Sequence, residues 1–313
     1  MMALEGEMVL KLKSEQARLR ESVKEEDTED WQRSPDFSGL ERVGGVDLSF
    51  IKDSDINACA HLVVLTYPHM KLLYEDCRMV TLDAPYVAGF LGFREAPPLL
   101  QALEKLKKEQ PNLMPQVLFV DGNGLFHYRE FGLACHLGVL SDLPCVGVAK
   151  NLLHVEGVLR SEEHHLQIHA LQKSGDSFPL ATASGRVLGK ALRSSQSSTK
   201  PVYVSVGHRI TLDTAVKLTH FCCRYRVPEP IRQFAVCLGP VCVVVLFPVR
   251  LRCSTRRSGV PSPADSDSPF SPASHPGVPS LPARSAGALS SACLPYCVPE
   301  YSSCVFQRTV CSY

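Results

Sequence analysis

The chain has 313 residues, 45% of them hydrophobic and 21% charged, and a formal net charge of +1. That composition suits a soluble globular protein of one or two domains. It excludes nucleic-acid binding through overall basicity, so any such footprint has to come from local clustering of charge.

Residues 1–14 form an N-terminal segment. Met1 to Glu15 lacks an apolar core with a small-residue cleavage site, so the expected location is the cytoplasm and nucleus, the nucleolus included, and not the secretory route. Ser14 to Asp27 reads as a charged helix with Leu19 and Val23 on one face. Arg42–Phe50 alternates as a strand, and Asn57–Tyr67 and Leu72–Leu82 are apolar enough to pair with it through short links, which favours antiparallel hairpins. Ala88 to Lys108 has a helical apolar face in Leu99, Leu100, Leu103 and Leu106, and Pro97-Pro98 predicts a kink or a break there. The continuous apolar runs Gln116–Val120 and Cys145–Ala149 predict strands buried on both faces. Ala134–Leu140 reads as a short helix, Arg186–Ala191 and Pro201–Val206 as strands, and Thr211 to Tyr225 as a closing helix capped by Thr211. This order predicts one α/β domain with a mixed sheet over residues 15–235.

From Val236 the character changes. Ser258–Ala292 is dominated by Ser, Pro, Ala and Gly, and the expectation for 236–313 is a low-complexity, disordered tail. Phe234–Val249 is apolar but broken by Gly239-Pro240 and Pro248, short of the roughly 18 residues of a membrane span. Of the 13 cysteines, Cys59, Cys77, Cys135, Cys145, Cys222 and Cys223 lie in apolar contexts and read as small hydrophobic filler. With no CxxC pair, zinc is not expected.

Three acids stand out. Asp47 is set in an apolar strand, Glu95 follows in Phe93-Arg94-Glu95, and Asp121 ends Val117–Val120 and opens Asp-Gly-Asn-Gly. Carboxylates in apolar strands are costly unless paired, hydrogen-bonded or metal-bound, and several converging acids suit a hard cation such as Mg²⁺. Taken singly, each has a plainer reading as a turn, strand-face or helix-surface acid. Lys150 and His208 each follow an apolar strand and are expected at the same sheet edge, the lysine as a point charge for phosphate and the histidine to position water or move a proton. His127 and His136 are weaker candidates, His136 reading as a core residue. Pro85-Tyr86-Val87 is a rigid turn bearing an aromatic, suited to insertion beside an unstacked base or, more plainly, to core packing. The stretch from Arg186 to Arg232 carries Arg186, Lys190, Arg193, Lys200, Arg209, Lys217, Arg224, Arg226 and Arg232 against Asp213 and Glu229. That is a solvated basic face or a nucleic-acid footprint.

Several of these segments, in order, resemble the endonuclease V family, most closely its vertebrate members. They are Val43–Phe50, Pro85–Gly89 with Phe93-Arg94-Glu95, Val120–Gly124, Gly147–Lys150 and Val204–Arg209. The resemblance covers roughly Glu15 to Gln233 and stops at the tail. It implies a ribonuclease H-like mixed sheet flanked by helices, with Asp47, Asp121 and Glu95 binding Mg²⁺ or Mn²⁺ and with Lys150 and His208 assisting at the phosphate and the attacking water. Pro85, Tyr86 and Val87 would be the wedge, and Gly89, Gly122, Gly132 and Leu133 would line a pocket for a flipped hypoxanthine. The implied reaction is hydrolysis of the second phosphodiester bond 3′ to inosine, leaving a 3′-hydroxyl and a 5′-phosphate. The implied substrate is inosine-containing RNA, as for eukaryotic members, with deoxyinosine in DNA repair as the alternative. A third reading is an inactive nucleic-acid-binding variant with an altered C-terminus. The expected protein is monomeric and not membrane-bound, with RNA-associated proteins as further partners.

Overall fold

The computed structural model describes residues 2–51 and 53–234, with side chains from residue 6 onwards. The expected tail, 236–313, lies outside the described residues. Three strands open the sheet: β1 (Arg42–Phe50), β2 (Asn57–Thr66) and β3 (Leu72–Thr81). They form the antiparallel meander that their short links favour, with Arg42 opposite Thr66 and Phe50 opposite Ala58. Next, β4 (Val117–Asp121) lies parallel to β1, and β5 (Cys145–Ala149) parallel to β4. Both are wholly apolar before their last residue, as strands covered on two faces must be. The sheet is extended by β8 (Val202–His208), β7 (Val187–Leu192) and β6 (Ser177–Ala181), all antiparallel, giving the order β3-β2-β1-β4-β5-β8-β7-β6.

Helices cover both faces, as the resemblance implied for a ribonuclease H-like sheet. On one face α3 (Leu91–Glu109) and α4 (Leu133–Ser141) pack Leu99, Leu103, Leu106 and Leu137 against Val46, Leu62, Leu118 and Val120. On the other, α6 (Leu212–Phe221) and α7 (Glu229–Arg232) bring Ala215, Leu218 and Ile231 to Val43, Val63, Phe119 and Val204. Side chains of the Leu, Ile and Val class contribute about 1.5–3 kcal/mol each when fully buried, so this two-sided burial dominates the fold. Thr211 caps α6 as expected, its hydroxyl accepting from Thr214 N at 3.3 Å.

Some local expectations are corrected. The N-terminal helix, α1, runs Met2–Glu21 rather than 14–27, and crosses the expected border at residue 14 without a break. A single helical span passes through Pro97-Pro98, so of the expected kink or break the break does not occur. Each proline removes one backbone donor, but the buried stripe Ala96, Leu99, Ala102, Leu103 and Leu106 holds both halves against the sheet. The sequence also gave no periodic signal for α5 (Glu162–Ala170) or β6. α5 buries only His164 and β6 contains Pro179, a residue that weakens strand assignment.

α7 crosses β1 at Gly45. A Cβ built there would lie 2.0 Å from the backbone oxygen of Pro230. Gly45→Ala therefore has to displace backbone rather than a flexible side chain. We expect it to lower unfolding free energy by about 1–3 kcal/mol, read as a lower urea midpoint with an unchanged m-value.

Candidate active site

The acids share a cavity because of register. The last registered pair of the parallel strands β1 and β4 is Val46 with Val120, so Asp47 and Asp121 emerge one residue later on neighbouring strands about 4.8 Å apart. Glu95, in the second turn of α3, approaches from the covering layer. All three line one cavity of about 210 Å³. A water in the liquid occupies about 30 Å³, so the space can hold an organic group. Asp47 is 9% exposed, and its Oδ2 accepts from Ser49 Oγ at 3.0 Å. Lys150, just beyond β5, donates from Nζ to Asp121 Oδ2.

Glu95 is the strained member. It is 5% exposed, and its Oε1 has no hydrogen-bond partner among the described residues. Burial pushes its carboxyl up to about 8, the Asp47 charge adds to this, and Arg94 opposes it. A buried carboxyl with an unpartnered oxygen, facing two further acids, fits a hard divalent cation, whose ligands are oxygens. Asp47, Glu95 and Asp121 are thus the residues that could hold Mg²⁺ or Mn²⁺.

Most of the other sequence candidates share this cavity. Tyr86 stands at its edge, 44% exposed. Pro85 and Val87 flank it in the same loop without lining the cavity. Gly89, Gly122, Gly132 and Leu133 all line it. Gly89 is required by two constraints: its φ is +82°, and a Cβ there would lie 1.8 Å from the Tyr128 hydroxyl oxygen. The loop of Tyr86 and the Phe131 loop are tied together by Gln16 of α1, whose Nε2 donates to Gly89 O at 2.9 Å and Phe131 O at 3.1 Å.

His208 is the exception. It pairs with Cys145, the first residue of β5, whereas Lys150 follows the last. β8 runs antiparallel to β5, so its C-terminal residue lies at the sheet edge opposite the acids. His208 Nδ1 accepts from Lys24 N at 3.3 Å, and Nε2 stands 3.6 Å from Asp142 Oδ1. Burial pulls its pKa down while Asp142 pushes it back up. It braces the segment that follows α1 and does not share the acidic cavity. His136 is buried, as its plainer reading held, and lies outside the cavity lining.

The cavity also uses residues that the sequence reading passed over: Asn123, Tyr128, Phe131, Asn151 and Leu153. Asn123, Asn151 and Phe131 adjoin Gly122, Lys150 and Gly132, which was the available signal. His127 and Tyr128 stack with ring centroids 4.4 Å apart, and Tyr128 is half exposed.

The raised Glu95 carboxyl sets a pH dependence. Between its ordinary value near 4.5 and about 8, the folded state holds a proton that the unfolded state has released, so stability falls as pH rises. Without divalent cation, the wild-type melting temperature should fall relative to Glu95→Gln across this window. Mg²⁺ should raise the wild-type value at pH 8 more than at pH 6. Parallel curves for the two proteins would remove Glu95 from the cation site.

Comparisons with known proteins agree with this geometry. The sequence profile described as Endonuclease V matches residues 17–235. Endonuclease V of Mus musculus is 61% identical over 221 residues, covering 71% of this chain and 65% of that protein, just under two thirds of its length. The Homo sapiens protein is 60% identical over 225 residues, covering 72% of this chain and 80% of that protein. The crystal structure of the catalytic domain of human Endonuclease V superposes with a TM-score of 0.75 at 55% identity, over 77% of this chain and 98% of that one. Ciona intestinalis Endonuclease V, solved with a 24mer DNA containing an inosine followed by a ribo-adenosine, gives 0.69 at 36% identity, over 77% of this chain and all of that one. By sequence and by fold, the chain belongs to the endonuclease V family.

Proposed function

We propose that this chain is a metal-dependent endonuclease. It hydrolyses the second phosphodiester bond 3′ to inosine in RNA and leaves a 3′-hydroxyl and a 5′-phosphate. The observation that carries this reading is the set of acids lining one cavity, Asp47 and Glu95 buried and Asp121 partly buried, with an exposed tyrosine at its edge. Asp47, Glu95 and Asp121 would hold Mg²⁺ or Mn²⁺. When bound, such a cation polarises a phosphoryl oxygen, lowers the pKa of a water and offsets the developing charge.

The chain's own residues do the rest. Lys150 is paired with Asp121, so its ammonium lies where a phosphate oxygen would approach the acids. Tyr86 can take the space of a base withdrawn from its stack, and unpaired or looped bases cost least to withdraw. The glycines at 89, 122 and 132 let backbone approach the base closely, which favours a purine without an exocyclic amine over guanine. His208 has no part at the phosphate in this scheme, because it lies at the opposite sheet edge.

RNA is favoured over DNA because the Ciona relative was solved with inosine followed by a ribonucleotide. A 2′-hydroxyl at that position is the feature that distinguishes the two nucleic acids. The same complex is otherwise DNA, which keeps deoxyinosine-directed DNA cleavage as the second reading. The family profile ends at residue 235 while the chain runs on to 313, which favours, as a third reading, a binder without activity. The expected setting is the cytoplasm and nucleus, with the protein acting as a monomer.

Matched RNA and DNA strands, each with one inosine, separate these readings. Incubation with Mg²⁺ or Mn²⁺ should cut the RNA strand, and cutting of the DNA strand alone would reject the RNA assignment. Binding of both strands without any cleavage would leave only the inactive binder. Asp47→Ala and Asp121→Ala should each lower cleavage by at least about 100-fold with the fold retained by circular dichroism. Tyr86→Ala should weaken substrate binding while leaving metal binding intact. His208→Ala should lower the melting temperature yet keep cleavage near the wild-type rate.

A further inference from the structure

A row of side chains crosses the sheet at the level of the acids. From β1 outward, the register runs through Asp47, His61 and Cys77, and Asp121 on β4 follows the last β1–β4 pair, Val46 with Val120. Residues opposite one another leave the sheet on the same face. Asp47 and Asp121 give the inner end of this row its oxygens. The outer end is different: His61 on β2 faces Cys77 on the edge strand β3, and Cys59, two residues before His61, shares their face.

The three donor atoms converge. Cys77 Sγ lies 2.8 Å from Cys59 Sγ and 3.8 Å from His61 Nε2, and all three atoms fall within 4.8 Å of one another. Among the described residues, no other cluster of His, Cys, Asp and Glu brings three donors this close. Cys59 and His61 are buried, and Cys77 is partly exposed at the sheet edge. Phe234 closes over His61 with ring centroids 5.8 Å apart, which leaves the Cys77 side as the approach.

We infer that Cys59, His61 and Cys77 form a site for a soft divalent cation of the zinc class, separate from the oxygen-lined site at Asp47, Glu95 and Asp121. Thiolate and imidazole donors select zinc-class metals, whereas Mg²⁺ takes oxygens, so the two ends of the row choose different ions. Three protein ligands with a fourth position open to water or an added ligand is an established zinc arrangement. No local spacing announces the site, because the two cysteines belong to different strands and form no CxxC pair. β pairing creates the site. A cation here would fasten the edge strand β3 to β2 one strand away from Asp47.

The test is a Co²⁺ titration of the reduced, chelator-treated full chain, with cobalt standing in for zinc. We expect a thiolate-to-cobalt charge-transfer absorption that saturates at one equivalent and is displaced by Zn²⁺ but not by Mg²⁺. Cys77 sits at the sheet edge, so Cys77→Ser should fold. It should lower cobalt affinity by more than the roughly 10–100-fold that loss of a ligand's outer partner costs, and His61→Ala should do the same. Because the chain has 13 cysteines, Cys222→Ser/Cys223→Ser serves as the control and should keep the band. Asp47→Asn should also keep it. A band undiminished in Cys77→Ser would overturn the site, as would no band in the reduced wild type. So would a thiol count showing that Cys59 and Cys77 pair as a disulfide under reducing conditions.

Discussion

The parallel pairing of β1 with β4 is the constraint on which the site depends. It is a contact between strands separated by most of a hundred residues of chain, and it places Val46 beside Val120 at the centre of the sheet. Everything functional follows from the next residue along each strand. A slip of one residue would send one aspartate to the opposite face, and the cavity would lose its inner wall. The slip is prevented by burial on both sides: Val46, Leu118 and Val120 pack under α3, while Val43 and Phe119 pack under α6 and α7. Hydrophobic packing here fixes the position of charged groups that would not choose to be neighbours.

That repulsion is built into the fold. Asp47 and Asp121 both act to raise the Glu95 carboxyl, on top of its burial. Among the described residues, one oxygen of that carboxyl has no hydrogen-bond partner, which in a low-dielectric setting is destabilising. Lys150 relieves Asp121 alone. The fold thus carries a local cost that a divalent cation would offset, which links metal binding to stability as well as to chemistry. The same packing that sets the register also supplies the low dielectric that makes the acids costly.

Strand direction separates two residues that look alike in sequence. Lys150 and His208 each follow an apolar strand, but β5 is parallel to β4 while β8 is antiparallel to β5. The lysine therefore emerges beside Asp121, and the histidine emerges at the far edge, where it receives a hydrogen bond from the backbone of Lys24. Sidedness is a property of the assembled sheet, and a single strand carries no record of it.

The amino-acid sequence alone determined the strands β1 to β5, because their apolar runs and alternation are local and strong. It determined the cap at Thr211, and the placing of costly acids in apolar surroundings that pointed to a cation. It did not determine α5 or β6, whose faces are too polar or too interrupted to leave a period. Nor did it settle the path of α3 through Pro97-Pro98, where burial of the stripe around Leu99 outweighs two lost donors. Only the tertiary structure decided which residues share a space: that Asp47, Glu95 and Asp121 line one cavity, that His208 does not join them, and that Cys59, His61 and Cys77 come within reach of one another. The physical reason is that hydrophobic periodicity is written within each element, whereas register and relative strand direction arise only when elements pair and bury their faces together.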